Sequence, residues 1–324
     1  MYVMNNHSDH VYIEPQICVA FLLSSAVGKE HFNSSRHKVS VTLKNVVIIR
    51  RQDCDTKTRA IMGIIDAYHY YNMECADKRT RHFFLLGSPI PIILITISYL
   101  YFVKRCGPNY MKDKKPYSLH TFIRLYNVFQ IVANSLIVYH AFDAGWYRDY
   151  FVYCRSLDYS FSTPGAYKIT ILSWFIFLLK LFDYTETVIY VLRKKDRQIS
   201  FLHVYHHVST VFLSWHCVKY YAIGVTLTIS VINCAVHVIM YTYYLLSSLG
   251  PKIQQVLRPV KKVITIIQMV QFLGLMAIAT QGLLPNCTGL TIPATLITIN
   301  LLINLMLFYN FYKKTYGPQT NKVK

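Results

Sequence analysis

The sequence predicts an all-α membrane protein in which seven transmembrane helices bundle around a shared interior. Three observations lead there. The chain is 53% hydrophobic and only 15% charged, with a mean hydropathy of +0.29, a balance that ordinary soluble domains do not have. Its apolar residues gather into runs of about 20, the length that crosses a bilayer as a helix. Its formal charge is +19, yet the Lys and Arg fall between the apolar runs, as basic loops of a membrane protein do, and not on one face, as nucleic-acid binding requires. The 27 tyrosines suit membrane interfaces and polar-lined cavities.

Residues 1–60 show neither periodicity nor a motif. They are read as an extension without assigned function, either a disordered arm or the product of a mistaken gene start. The run 17–27 is short for a cleavable signal, and Glu14 stands before it where positive charge is wanted. The expected spans are 83–103, 119–142, 169–192, 199–218, 222–246, 262–284 and 290–312, which makes 61–317 the helical domain and 318–324 a basic tail. Pro89 and Pro91 sit in the first span and are tolerated in membrane helices. Basic residues follow the first span (Lys104, Arg105, Lys112, Lys114, Lys115), the third (Arg193, Lys194, Lys195, Arg197), the fifth (Lys252, Arg258, with Lys261 and Lys262 at the next span) and the seventh (Lys313, Lys314, Lys322, Lys324). With seven spans these lie on one side, and the positive-inside rule makes that side, with the C-terminus, cytosolic. Arg148, Arg155, Lys168 and Lys219 lie on the other side. Lys78, Arg79 and Arg81, before the first span, run against the rule.

Four polar stripes interrupt the apolar spans. HVYHH places His203, His206 and His207 at i, i+3 and i+4, on one helix face. Upstream, Lys180, Asp183 and Thr187 share a stripe, with Glu186 one step around it. Charges inside an apolar helix cost several kcal/mol unless paired, so Lys180 is expected to pair with Asp183 or Glu186. Asn233, His237, Tyr241 and Tyr244 form a third stripe, and Thr265, Gln268 and Gln271, with Phe272 beside them, a fourth. A stripe of Tyr or Gln alone is ordinarily interhelical glue. Four stripes on four helices point to one interior cavity.

The order KxxDxxET…LRKK, HxxHH, NxxxHxxMYxYY and TxxQxxQF, from about Asp77 to Tyr316, resembles the ELO family, the very-long-chain fatty acid elongases. One departure stands out: the family reads KxxExxDT, and Asp183 and Glu186 exchange those acids. The resemblance implies condensation of a fatty acyl-CoA with malonyl-CoA to a 3-oxoacyl-CoA in the endoplasmic reticulum membrane. It implies no cofactor and no metal. The implied partners are the two CoA substrates, membrane lipid and other enzymes of the elongation cycle, with no nucleic acid. A tunnel between the helices would take the acyl chain, its depth setting chain length.

A neutral imidazole is a competent nucleophile, and by resemblance His206 takes the acyl group. His203 and His207 would orient it or shuttle protons, and His237 would face the thioester from another helix. Lys180, Asp183 and Glu186 complete the catalytic set. Asn233, Tyr241 and Gln268 are candidates for polarising the thioester carbonyl. Arg193, Lys194, Lys195, Lys261 and Lys262 are candidates for the CoA phosphates, with Tyr244, Gln271 and Thr187 as further substrate contacts. None of the eight cysteines forms a CxxC pair. Most are expected as small apolar side chains in or near helices. The resemblance places Cys154 and Cys287 in the two lumenal loops before spans three and seven and implies a disulfide between them. Asn286, Cys287 and Thr288 also form a glycosylation sequon. The terminal NKVK is a partial dilysine signal.

Other readings remain open at this point. A membrane di-iron desaturase or hydroxylase also carries HxxHH, but needs around eight histidines, and only His203, His206, His207 and His237 lie on the interior stripes. A seven-helix receptor or transporter fits the spans but not the charged stripes. A degenerate elongase is suggested by the exchanged acids. The double substitution Asp183→Glu with Glu186→Asp tests the last reading. An active enzyme elongates without it, and product formed only by the double variant marks the natural chain as degenerate.

Overall fold

A computed structural model of the chain describes residues 64–149, 164–222, 224–284 and 291–317. Regular structure among these residues is entirely helical. The chain divides into two units, Met1–Ala76 and Asp77–Lys324. In the first, the described residues form a short helix, Ile64–His69, that widens into a π turn, Tyr70–Glu74, before the disulfide-bonded Cys75. Cys106, Cys217 and Cys234 are free. The expected partners Cys154 and Cys287 both lie outside the described residues, as do the glycosylation sequon, the run 17–27 and the tail 318–324.

Among its described residues the second unit holds seven main helices: α1 (Ile90–Met111), α2 (His120–Asp143), α3 (Gly165–Leu192), α4 (Phe201–Tyr220), α5 (Val225–Ser247), α6 (Arg258–Leu283) and α7 (Thr291–Tyr316). All but α4, six in number, are long and apolar enough to cross a membrane. The exception, α4, includes four histidines, Lys219, two serines and a threonine among its 20 residues, and such a helix is tolerable in a bilayer only if its polar groups face protein. Large apolar side chains cover the outside, and the interior carries polar and charged groups beside its apolar clusters. On α2, Gln130 is 0% exposed while its neighbour Phe129 is 50% exposed. Outward faces elsewhere carry Ile93, Leu94 and Ile97, Val270 and Leu273, and Leu302 and Met306, while Lys180, Asp183, Glu186, His207 and His237 are buried. Apolar surface outside and hydrogen-bonding groups inside are what a hydrocarbon solvent selects. The second unit is a multi-span membrane protein.

α1 starts at Ile90, seven residues later than the sequence predicts. Pro89 caps it and Pro91 occupies its first turn, where a missing N–H costs nothing. The stretch read as its beginning is a set of turns whose carbonyls are claimed by other helices. Trp174 Nε1 donates to Phe84 O (3.1 Å), Trp215 Nε1 to Leu85 O (2.9 Å) and Lys219 Nζ to Leu86 O (2.7 Å). Arg79, which runs against the charge rule, is buried in an ion pair with Asp77 (2.6 Å) and also donates to Ala222 O. Its charge is cancelled within the fold.

The packing closes into a ring in the order α2, α5, α6, α7, α4, α3 and back to α2. α1 stands outside, its Tyr99 ring stacked on that of Tyr184 of α3 at 3.9 Å, in one buried cluster that also holds Val103 of α1, Phe177 of α3 and Val211 and Trp215 of α4. The starts of α2, α4 and α6 and the ends of α3, α5 and α7 meet at one end, where they line a common cavity. The wall is tight where α1 crosses α3. An added Cβ on Gly107 would lie 2.6 Å from Val191 Cγ1 and 2.9 Å from the Phe102 carbonyl oxygen, and neither can yield cheaply. Gly107→Ala is therefore expected to destabilise by about 1–3 kcal/mol, read as a lower midpoint of thermal unfolding in detergent.

Candidate functional site

The site begins with an interruption. α3 breaks at Asp183 into Pro164–Phe182 and Tyr184–Leu192, with Lys180 and Asp183 in the turn before the break and Glu186 in the turn after it. All three are buried, and Lys180 Nζ lies 3.6 Å from Asp183 Oδ2. α2 completes the shell of Asp183: Gln130 Nε2 donates to Oδ1 at 2.6 Å and is itself held by Asn134 Nδ2, which donates to its side-chain and backbone oxygens. Tyr241 of α5 adds a longer bond to the same carboxylate oxygen, at 3.4 Å. A buried carboxylate with one cation and two donors is satisfied; one without them would cost several kcal/mol.

The histidine helix is positioned by its cap. The Ser200 side chain accepts from the His203 backbone N–H, the usual way a serine satisfies a first-turn donor, so α4 starts where His203, His206 and His207 turn inward. His203 Nε2 and Thr187 Oγ1 share a hydrogen bond of 2.9 Å, and Thr187 in turn meets the Tyr99 hydroxyl of α1 at 2.9 Å. His207 Nε2 lies 3.5 Å from Glu186 Oε2, and the Tyr190 hydroxyl donates to Glu186 Oε1 at 2.6 Å. From α5, His237 Nδ1 lies 3.5 Å from Lys180 Nζ. The donor atoms of Glu186, His203 and His207 all fall within 4.8 Å of one another, a spacing that a metal ion can bridge.

Two cavities meet here. The larger, of about 1030 Å³, has Arg193, Arg197, Arg258 and Lys261 among its lining residues and contains His203, His206, His207 and His237. The smaller, of about 90 Å³, takes in Lys180, then Leu213, Cys217, Leu275, Ile297 and Leu301. His206, Asn233 and Phe272 border both. His206 thus stands between a larger chamber that has basic residues along its lining and a smaller, mostly apolar one.

Residues 84–324 match the ELO: GNS1/SUR4 family. The chain belongs to the ELO family. It is 36% identical over 278 residues to the very long chain fatty acid elongase 1 of Mus musculus, an alignment covering 81% of this chain and 99% of that one. It is 38% identical over 247 residues to the elongase 1 of Homo sapiens (75% and 88% covered). To a very long chain fatty acid elongase of Aedes aegypti it is 34% identical over 257 residues (79% and 71% covered).

In this ELO chain the four stripes converge as expected, but several residues take other places. Asp183 stands behind the chamber wall, joined to Lys180. The Tyr241 hydroxyl is committed to Asp183, which turns it away from a carbonyl-polarising role. Thr187 acts through His203. Gln268, Gln271 and Tyr244 do line the chamber, and Gln271 carries a buried amide nitrogen without a hydrogen-bond partner. Of the five basic candidates, Arg193 and Lys261 line it and Lys194, Lys195 and Lys262 do not. The helix ending explains this. Lys194 adopts a left-handed conformation (φ 52°) and the Lys195 N–H reaches back to Tyr190 O, the wide bond of a Schellman ending. Consecutive side chains therefore diverge: Lys194 Nζ donates to Lys112 O, and Lys195 is exposed. Lys262 faces α7, 5.9 Å from the Tyr312 ring centre.

Arg197, Arg258 and Gln130 were missed as site residues by sequence reasoning. The first two depend on how loops turn. Gln130 was within reach, because Asn127, Gln130 and Asn134 repeat the i, i+3, i+7 spacing read on α3. Gln130→Leu leaves Asp183 without its shortest bond. It is expected to cost about 1–3 kcal/mol and to lower activity in proportion to the displaced Lys180, measured as thermal midpoint and turnover side by side.

Proposed function

We propose that this chain is a very-long-chain 3-oxoacyl-CoA synthase, an acyltransferase that catalyses the first step of fatty acid elongation with malonyl-CoA as the two-carbon donor. The observation that carries the reading is the position of His206 at the border of the two chambers, with Asn233 beside it. The elongase names of the relatives support it. The cationic rim suits CoA phosphates, and the smaller, apolar chamber suits a hydrocarbon chain, as the start of a tunnel enclosed by the six ring helices.

The chemistry balances without an added cofactor. A nitrogen of the His206 imidazole attacks the thioester carbonyl, the C–S bond breaks, and the CoA thiolate leaves with the proton that the imidazole gives up. Malonyl-CoA then loses CO2, and the electron pair of the broken C–C bond becomes an enolate. The enolate carbon attacks the acyl carbon, the C–N bond breaks, and the 3-oxoacyl-CoA departs as the histidine regains a proton. One proton is consumed overall, matching the carboxylate lost. Decarboxylation supplies the carbanion, so no strong base is needed. Asn233 polarises the acyl carbonyl. Lys180 sets the His237 ring, and Glu186 with Thr187 holds His207 and His203 around the nucleophile. Through its family the enzyme is assigned to the endoplasmic reticulum membrane, with the basic rim and the C-terminus on the cytosolic side where acyl-CoA is made.

Expression in elongase-deficient yeast tests this. Longer fatty acids should accumulate, and microsomes should form 3-oxoacyl-CoA only when malonyl-CoA is supplied. His206→Ala should lower that rate by about 10²-fold or more. An acyl group trapped on another side chain overturns the assignment to His206.

A further inference from the structure

We propose that Glu186, His203 and His207 form a binding site for one divalent transition ion of the zinc class, and that the bound ion shuts off the condensation. The inhibitory part rests on the function proposed above; the site itself does not. The three residues come from two helix segments and offer donor atoms that all lie within 4.8 Å of one another. Tetrahedral zinc, with bonds of about 2.0–2.2 Å, sets its ligand atoms roughly 3.3–3.6 Å apart. The edge from His207 Nε2 to Glu186 Oε2 is already 3.5 Å, and no edge of the triangle exceeds 4.8 Å. Two imidazoles and one carboxylate are a donor set that binds zinc with a coordination position left open. Here that position faces the larger chamber, which all three residues line. Glu186 is held from behind, as metal ligands are: Tyr190 donates to Oε1, while Oε2 is the oxygen that meets His207.

Charge makes the second argument. Lys180 lies 3.6 Å from Asp183, so that carboxylate has its cation. Glu186 faces a phenol and imidazoles, and its ionic partner among the described residues, His207, is a cation only when protonated. A divalent ion supplies the positive charge that a buried carboxylate lacks. It also ties up the lone pairs of His203 and His207. The ring of His206 lies 5.6 Å from that of His207, centre to centre, so a metal there intrudes on the nucleophile.

The test is a titration of the purified full-length protein in detergent with cobalt(II) chloride, read by visible absorption, because four-coordinate cobalt absorbs far more strongly than the aqueous ion. One equivalent should bind with intense bands, and zinc chloride should abolish them. Glu186→Gln and His207→Ala should each weaken binding by about 10–100-fold, whereas His216→Ala, on the same helix outside the cluster, should not. Each variant is first confirmed monodisperse and helical; if His207→Ala does not fold, the near-isosteric Glu186→Gln decides. Absence of the bands in the unaltered protein, or their survival in Glu186→Gln, overturns the site. Zinc should inhibit 3-oxoacyl-CoA formation with the midpoint found in the titration, and activity untouched by bound zinc overturns the inhibition. Cobalt binding in a protein with no condensing activity would overturn the proposed function and leave the metal site standing.

Discussion

Two carboxylates three residues apart on one apolar helix, out of reach of water, are the constraint on which the rest of the second unit depends. Asp183 and Glu186 cannot stay there as bare anions. Each recruits partners from its own helix and from others: Lys180, Gln130 and Tyr241 for the first, and Tyr190 and His207 for the second. Those partners sit on α2, α3, α4 and α5. Satisfying the acids therefore brings together four of the six ring helices and sets their rotation about their own axes. Around them the interior keeps buried apolar clusters as well, so the polar network is set within a packed core.

The two halves of this network serve different ends. Lys180 and Asp183 make a neutral pair beside His237, close to the border of the two chambers. Glu186 joins His207 and His203 on the side of the larger chamber alone. The exchange of acids relative to the family pattern fits this division. The shorter Asp183 leaves room that Gln130 fills at 2.6 Å, and the longer Glu186 meets the Tyr190 hydroxyl at 2.6 Å. Both carboxylates remain fully engaged after the swap.

Much of this was legible in the sequence because helices repeat every 3.6 residues. Spacings of three and four placed His203, His206 and His207 on one face and brought Lys180 next to Asp183, and the convergence of four stripes followed from having nowhere else to put them. What sequence could not give were features decided by loops and by carbonyls. The apolar run from residue 83 looks helical, but Trp174, Trp215 and Lys219 take the carbonyls that a helix would have used. LRKK looks like one basic cluster, but the left-handed turn at Lys194 sends its members apart. Arg197 and Arg258 reach the rim only because those turns exist. α4 is too polar to pass as a span by hydropathy, yet the expected span 199–218 lies within two residues of its observed bounds, Phe201–Tyr220.

The ring closes without α1, and that divides the helix's own sequence into two regimes. Ile93, Leu94 and Ile97 face outward and touch nothing in the chamber, so substitutions there concern solubility in the bilayer and leave the chemistry alone. Tyr99 is different. Through its hydroxyl and Thr187 it is one step from His203, the peripheral helix's one polar reach toward the histidines among the described hydrogen bonds. A genetic variant that preserved every interior residue but lost this phenol would be silent in any survey of the chamber walls and still unsettle the imidazole behind them.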